Sequence, residues 1–162
     1  MKITRIAAIG LIAATVSVAG FAGCGGSDSS SASSAADATA AATKVCTDVK
    51  TYVKNAAASL DATSLESLQT FAASGAVKSK AAMAELRAIT PPAAKADAYQ
   101  AFLDAKAAVV DSGLAQSADV QVSTSIEDVI AKTSTASTAE VALNTTADTA
   151  AVAAGLPECG GK

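Results

Sequence analysis

Residues 86–114 read LRAITPPAAKADAYQAFLDAKAAVVDSGL, and their pattern indicates the fold class. Pro91 and Pro92 end one helix and begin the next, because proline disfavours helix for the residue before it and suits the first turn of a helix. The apolar side chains behind them recur at the roughly 3.6-residue period of an α-helix. They are Ala96, Tyr99, Leu103, Ala107, Val110 and Leu114, with Phe102 at the edge. The stretch therefore predicts two helices joined by a short turn.

The same periodicity extends on both sides of this stretch. It predicts helices over residues 41–60, 64–89, 92–116 and 125–154. The apolar positions of the first are Val45, Val49, Tyr52, Val53, Ala56 and Leu60, and those of the second are Leu65, Leu68, Ala72, Gly75, Ala82 and Leu86. Gly75 within this set predicts close approach of a neighbouring helix, with a hinge as the alternative. Because the connections are short, we expect an all-α domain over residues 41–162, an up-down-up-down four-helix bundle.

Local signals bear on the fourth predicted helix. Thr124 and Glu127 have the spacing of a capping box, which predicts where the helix begins. Gly155 is placed as the left-handed residue that ends it, with Leu156 positioned for the apolar contact that often follows. The Ser- and Thr-rich run 133–138 leaves open whether the helix continues or kinks.

The first residues have the composition of a signal peptide. Lys2 and Arg5 precede an uncharged apolar run over residues 6–20. This run is shorter than the roughly 20 apolar residues that span a bilayer, and a positive segment before it is typical of export. We therefore predict that residues 1–23 form a leader that is removed.

Residues 21–24, FAGC, follow this apolar run directly. They resemble the bacterial lipobox, since Ala22 and Gly23 are small and precede Cys24, although Phe21 stands where Leu is usual. The resemblance implies that signal peptidase II cuts between Gly23 and Cys24 and that the Cys24 thiol carries a diacylglyceryl group. The domain would then be exported and lipid-anchored to the cell membrane on its extracytoplasmic side. The alternative is an ordinary secretory leader followed by an unrelated cysteine.

Residues 24–40 connect this cysteine to the first predicted helix. Residues 25–36 read GGSDSSSASSAA, a composition that buries too little apolar area to offset the entropy of ordering. We expect a flexible tether, with a root-mean-square length of roughly 20 Å for this segment. Residues 37–42 could belong either to the tether or to the first helical turn.

The chain has three cysteines, and an odd number in an exported protein needs an explanation. Once Cys24 carries lipid, Cys46 and Cys159 remain, outside the cytoplasm, where disulfides persist. In an up-down-up-down bundle the fourth helix ends beside the start of the first. We therefore predict that Cys46 and Cys159 form a disulfide.

The region after the tether also resembles a loose class of proteins. Cys46, the pair Pro91 and Pro92, and the segment GLPEC at residues 155–159 are similar to features of small Ala-rich helical lipoproteins of high-GC bacteria. The resemblance covers about residues 42–160. It implies a helical fold and assigns no activity.

Composition argues against several classes of function. The formal charge is −3, or −5 once Lys2 and Arg5 leave with the leader, whereas nucleic-acid binding would call for a basic surface. Binding to anionic lipid by charge alone is disfavoured for the same reason. The chain has no histidine, which removes His-activated nucleophiles, the commonest general base at neutral pH and His-containing zinc sites. We expect no enzyme activity, no catalytic residue and no cofactor.

Two charged features of the third predicted helix were candidates for chemistry. Asp97, Asp104 and Asp111 recur every seven residues, which places neighbours about 10 Å apart along a helix, too far to share one metal ion. We interpret them as a solvated ladder and predict no metal site. Lys106 lies near the centre of the apolar stripe. It could be buried against a carboxylate such as Glu140, or extend its ammonium to solvent, and we expect the second.

These features predict a membrane-anchored, non-enzymatic interaction module of the cell envelope, with an envelope protein as its partner. The alternative is a carrier that holds a small apolar ligand between its helices. A cavity of about 300–1,000 Å³ lined by Leu65, Phe71, Tyr99 and Phe102 would favour the carrier. A filled core would favour the interaction module.

Overall fold

The computed structural model describes residues 29–160, apart from the side chains of residues 29–34 and 135–138. The regular secondary structure of this part of the chain is all helical, with no strand, as predicted. The helices are α1 (Ser29–Ala58), α2 (Leu65–Ala88), α3 (Ala96–Gln121) and α4 (Ile126–Ala154), with 3₁₀ turns at Ala93–Lys95 and Pro157–Cys159. No helix among the described residues combines the length and the apolar character needed to cross a membrane.

Hydrogen bonds between α2 and α3 show that these two helices run antiparallel. The Tyr99 hydroxyl donates to the Leu86 carbonyl at 2.7 Å, which joins the start of α3 to the end of α2. The Ser117 hydroxyl donates to the Ala72 carbonyl at 2.9 Å, which joins the end of α3 to the first half of α2.

Hydrogen bonds also show that α3 and α4 run antiparallel. Gln116 Nε2 donates to Glu140 Oε2 at 3.1 Å. Lys95, just before α3, donates to the carbonyl of Ala153 near the end of α4 at 3.4 Å. Contacts also join α1 to α2, so each helix packs against the next one along the chain.

The hydrophobic core lies at one end of this helical array. It combines the middle of α1, the end of α2, the start of α3 and the end of α4 with the final turn. Its members are Ala42, Val45, Cys46, Ala82, Met83, Leu86, Tyr99, Phe102, Leu103, Ala151, Ala154, Leu156 and Cys159. Phe102, which the periodicity placed at the edge of its stripe, has no exposed surface and is one of the two largest fully buried side chains. Four of these thirteen residues are alanine, and each contributes little buried apolar area.

The first helix meets the last one indirectly. Contacts join α1 to α2 and to the turn Pro157–Cys159, whereas contact between α1 and α4 is sparse at most. That turn packs on α4 in its own right. The last turn and its cysteine therefore connect α1 to the end of α4.

The start of α1 differs from the prediction. The helix begins at Ser29, not near residue 41, so it includes residues 29–40 of the predicted tether. Alanine has the highest helix propensity and is frequent at residues 35–41, a contribution that an analysis based on apolar periodicity does not weigh. Of the α1 residues whose side chains are described, which begin at residue 35, Ala42 is the first that is buried, so residues 35–41 precede the core.

Helix α4 shows which of the local signals determine its ends. Ser125, and not Thr124, is the N-terminal cap, because its hydroxyl accepts from the Asp128 backbone N–H at 3.2 Å. The predicted capping pair was therefore one residue too early. The helix is continuous through residues 133–138 and ends, as predicted, at Gly155 with a φ of +80°. The Leu156 N–H then donates to the Ala151 carbonyl at 2.8 Å, which is the Schellman arrangement.

Two further expectations are wrong. A Cβ atom added at Gly75 would meet nothing within 4 Å, so no neighbouring helix approaches closely there. Helix α3 continues to Gln121, five residues past its predicted end at residue 116. The predicted loop shortens to residues 122–125 because Ser123 is buried and bonded to the end of α3.

Candidate functional site

The predicted lipidation and cleavage residues, Cys24 and Gly23, lie outside the described residues, as does the rest of the leader. Their roles therefore stay predictions. The first described residues after them belong to α1, which leads from the predicted anchor to the core.

The predicted cysteine pair does come together. Cys46 on α1 and Cys159 in the last turn are joined as a disulfide with a Cα–Cα distance of 5.1 Å. Both are buried, with exposed fractions of 7% and 3%. The bond lies in the hydrophobic core, where it ties α1 to the end of α4, so its role here is structural.

The four residues predicted to line a ligand cavity do not share one. Tyr99 and Phe102 lie together in the core, with their ring centroids 5.9 Å apart. Phe71 lies on α2 fifteen residues before Leu86, the contact of Tyr99, which is a separation of about 22 Å along the helix. Leu65 lies further still from the core.

The spaces near Phe71 are open surface grooves. One of about 520 Å³ is lined mainly by polar residues of α2 and by Val77 and Gln121. A second, of about 370 Å³, lies between the end of α1 and the start of α2 and includes Leu60 and Phe71. Neither is an enclosed apolar chamber, which is what a carrier of an apolar ligand would require.

Lys106 is half-buried on α3, where its side chain faces charges from two other helices. Burial is the main cause that lowers the pKa of Lys106, the carboxylate of Asp148 on α4 opposes this, and Lys50 on α1 adds to it. Glu140, the partner considered from sequence, instead accepts from Gln116. Among the described residues no carboxylate forms an ion pair with Lys106 within 4 Å.

The carboxylates of α3 have the arrangement expected of a solvated ladder. Asp97, Asp104 and Asp111 are all exposed, and Asp104 accepts from Gln100 Nε2 at 2.8 Å. Within the described part of the chain, no three Cys, Asp or Glu residues lie close enough together to hold a metal ion.

The unusual surface of the described domain is the solvent-facing side of α4. After the first turn of α4, the charged residues Lys132, Glu140 and Asp148 are all half-buried. The exposed positions that follow Asp128 are uncharged, and we call them the outer face of α4. They are Ile130, Ala131, Ser134, Ala139, Val141, Ala142, Thr145, Thr146, Thr149, Val152 and Ala153.

The other helices have the opposite distribution, with charge on their exposed sides. Their exposed charged residues include Lys44 and Asp48 on α1, Glu66, Lys80 and Glu85 on α2, and Asp97, Asp104 and Asp111 on α3. A helix of a globular domain normally turns its charged residues to water and its apolar residues to the core. Helix α4 departs from this rule over about 24 residues, or about 36 Å of its length.

Three large apolar side chains lie on this outer face. Ile130, Val141 and Val152 are 53%, 66% and 63% exposed. Single exposed apolar side chains are ordinary, but three of them on one uncharged helix face make that face the candidate contact surface.

The hydroxyl groups near these residues need no outside partner. Thr145 donates to the Val141 carbonyl at 2.8 Å, Thr146 to the Ala142 carbonyl at 3.0 Å and Thr149 to the Thr145 carbonyl at 2.9 Å. Each threonine satisfies its hydroxyl within its own helix, which leaves its methyl group for contact with a neighbour. The outer face is therefore less polar than its sequence suggests.

Sequence periodicity did not identify this surface. The second half of α4 has small, weakly polar residues on every side, so no stripe stands out. The available signal was the position of the charges: after Asp128, the charged residues Lys132, Glu140 and Asp148 lie on one half of a helical wheel, and the half opposite them is uncharged.

The geometry thus combines a disulfide-tied core, an N-terminal helical extension and an uncharged outer face on α4. In comparison with known proteins, no protein-family model, no curated protein and no solved structure matches this chain.

Proposed function

We propose that this protein is an exported lipoprotein, anchored through lipid on Cys24, and that it acts as a non-enzymatic interaction module of the cell envelope. The contact surface is the outer face of α4. The lipobox-like residues 21–24 support the anchor, and the disulfide between Cys46 and Cys159 is in keeping with an oxidising compartment outside the cytoplasm.

A single observation carries the assignment of the surface. The outer face of α4 exposes Ile130, Val141 and Val152 and includes no charged residue after Asp128. A soluble monomer gains nothing from such a face, since charged residues there would improve solubility without disturbing the core. Burial against a partner would explain why the outer face of α4 is uncharged.

The proposed arrangement is an up-down-up-down four-helix bundle that extends from its anchor on the start of α1. The antiparallel pairs α2 with α3 and α3 with α4 support this topology. As a helix, residues 29–41 would extend about 20 Å, similar to the reach of the flexible tether expected from composition. The core and the outer face of α4 would then lie clear of the lipid headgroups.

Thiol labelling in native membranes tests the surface. Val141→Cys places a thiol on the outer face, and Val77→Cys places one at a matched exposure of 70% on α2. With a membrane-impermeant maleimide, we expect Val141→Cys to react at least tenfold more slowly in native membranes than after dilution in detergent. Val77→Cys should react at similar rates in both conditions. Equal rates for Val141→Cys in membranes and detergent would contradict the proposal.

The anchor has its own test. We expect mass spectrometry of the mature N-terminal peptide to show a chain that begins at Cys24 and carries a diacylglyceryl group. Cys24→Ser should release the protein from the membrane fraction. A mature N-terminus at any other residue, or an unmodified Cys24, would refute the lipoprotein assignment while leaving the surface to be judged by labelling.

A further inference from the structure

Helix α1 is attached to the rest of the domain in a different way from the other three helices. Side-chain hydrogen bonds join α2 to α3 near both ends and join α3 to α4. They include the bonds from Tyr99 to Leu86, from Ser117 to Ala72, from Gln121 to Gln69 and from Gln116 to Glu140. Among the described residues, no hydrogen bond joins α1 to another α-helix. Packing and the disulfide therefore hold α1 in place.

The packing of α1 is concentrated in one short segment. Of its described side chains, which begin at residue 35, only Ala42, Val45 and Cys46 are buried. Residues 47–58 are half-buried or exposed. The Cys159 sulfur lies 3.7 Å from the Ala42 carbonyl oxygen, so the last turn covers the same segment. Because burial stabilises in proportion to apolar area, three small side chains contribute little against the entropy of ordering a helix of 30 residues.

Charges between α1 and α2 add only a weak attraction. Lys44 interacts electrostatically with Glu85, and Asp48 does so with Lys78. Within the described part of the chain neither pair comes within 4 Å, and Lys44 pairs instead with Asp48 of its own helix at 2.6 Å. Water and salt screen such exposed charges. The disulfide is therefore the main attachment of α1.

We propose, independently of what binds the outer face of α4, that α1 is a strap over the core of α2–α4, closed by the bond between Cys46 and Cys159 and opened by a dithiol. Cys46 is the last buried residue of α1, and Cys159 lies in the turn that packs on α4. The bond thus holds the strap at the segment where it is buried. It also gives that segment a high effective concentration at its docking site.

Thiol–disulfide exchange opens the strap. The dithiol supplies two electrons and two protons: the S–S bond breaks, Cys46 and Cys159 become thiols, and the dithiol becomes a disulfide. Both cysteines are buried, so exchange starts from a transient local opening and the strap opens slowly. Reoxidation of the two thiols closes the strap again.

The open strap uncovers an apolar surface. Met83 and Leu86 of α2, and Leu156 just before the last turn, share the core with the buried segment of α1. They are only 5%, 2% and 2% exposed when the strap is closed. A contiguous exposed apolar patch marks an interaction site, so the open form offers a contact surface that the closed form hides. The hydrogen bonds among α2, α3 and α4 do not involve α1 and remain.

Hydrogen exchange followed by mass spectrometry tests the strap in the full exported chain, purified from membranes in detergent. The oxidised protein is compared with protein reduced by dithiothreitol and with the double variant Cys46→Ala/Cys159→Ala. Without the bond, amides of residues 42–58 should exchange within about tenfold of the rate of an unstructured peptide. Amides in the middle of α2, α3 and α4 should stay at least a hundredfold slower than that rate. In the oxidised protein, amides of residues 45–49 should be at least a hundredfold slower as well.

Oxidation of Met83 by peroxide measures the uncovered surface. Conversion of the Met83 thioether to a sulfoxide requires access to its sulfur, and the residue is 5% exposed in the closed form. The reaction should be at least tenfold faster in Cys46→Ala/Cys159→Ala than in the wild type. The double variant is the right comparison, because peroxide would re-form the bond in chemically reduced protein.

Each outcome supports or overturns the strap. Loss of protection in all four helices would show that the bond holds the whole domain together. Retained protection of residues 42–58 without the bond would show that packing alone keeps α1 docked. An unchanged rate of Met83 oxidation, with α1 unprotected, would contradict the uncovered surface. Thiol labelling at Val141 tests the proposed function separately, since none of these outcomes depends on the outer face of α4.

Discussion

Removal of the disulfide between Cys46 and Cys159 should destabilise the domain strongly. The two residues are 113 positions apart in the sequence, and closing a loop of that length removes about 5 kcal/mol of unfolded-state entropy in the chain-entropy model. Domains of this kind are stable by only about 5–15 kcal/mol in total, so the bond accounts for a large share. The structure adds a local reason. Helix α1 contacts the turn Pro157–Cys159, which contains Cys159, whereas its contact with α4 is sparse at most.

The assay is urea unfolding of the soluble Cys24→Ser protein, followed by circular dichroism. With a slope of about 1–3 kcal/mol per M, a loss of about 5 kcal/mol lowers the midpoint by about 2–5 M. The free energies of unfolding of the double variant Cys46→Ala/Cys159→Ala and of the chemically reduced protein should agree within about 1 kcal/mol. The remaining difference arises because the double variant also lacks two small buried sulfur atoms. If the two treatments lower stability by less than about 1 kcal/mol, the helices hold together without the bond and the entropic argument is refuted.

Three further predictions concern single side chains and use the same urea assay. Gly75→Ala should stabilise the domain by about 1 kcal/mol, because an added Cβ meets nothing within 4 Å and alanine favours helix; a loss of stability would reveal a packing partner at that position. Tyr99→Phe should cost about 1 kcal/mol by removing the buried hydrogen bond to Leu86. Burial raises the pKa of Tyr99 above its usual 10.0, so the wild type should also lose stability as pH rises through that raised pKa, while Tyr99→Phe should not. Burial lowers the pKa of Lys106 below 10.5, so wild-type stability should rise with pH between the lowered pKa and 10.5. Lys106→Met should lack this rise. Parallel curves of stability against pH for the two proteins would contradict the burial of the Lys106 ammonium.

The fold class was predictable where local signals and periodicity agreed. The prolines at residues 91 and 92 placed the boundary between α2 and α3, and Gly155 placed the end of α4, because each has a backbone preference that few other residues share. The pairing of Cys46 with Cys159 followed from counting cysteines and from the expected antiparallel order of the helices. These features depend on the nearest residues or on topology alone.

The remaining features depend on information that periodicity does not contain. The early start of α1 reflects alanine propensity in a segment without an apolar stripe. The placement of Phe102 at the centre of the core, and of Phe71 far from it, depends on how α2 and α3 slide past each other. The hydrogen bond from the Tyr99 hydroxyl to the Leu86 carbonyl fixes the relative position of α2 and α3, and no sequence pattern predicts this bond. Apolar periodicity did not predict the outer face of α4, because alanine, serine and threonine occur on all sides of that helix.

Site-specific photo-crosslinking in intact cells that make the full exported chain determines whether the outer face of α4 contacts a partner. A photoreactive amino acid replaces Val141 on the outer face of α4, or Val77 as the control of matched exposure. We expect a discrete crosslinked species at position 141, with the mass of the chain plus one partner, and none at position 77. No crosslinked species at position 141, or equal yields at the two positions, would show that the outer face of α4 is not a contact surface.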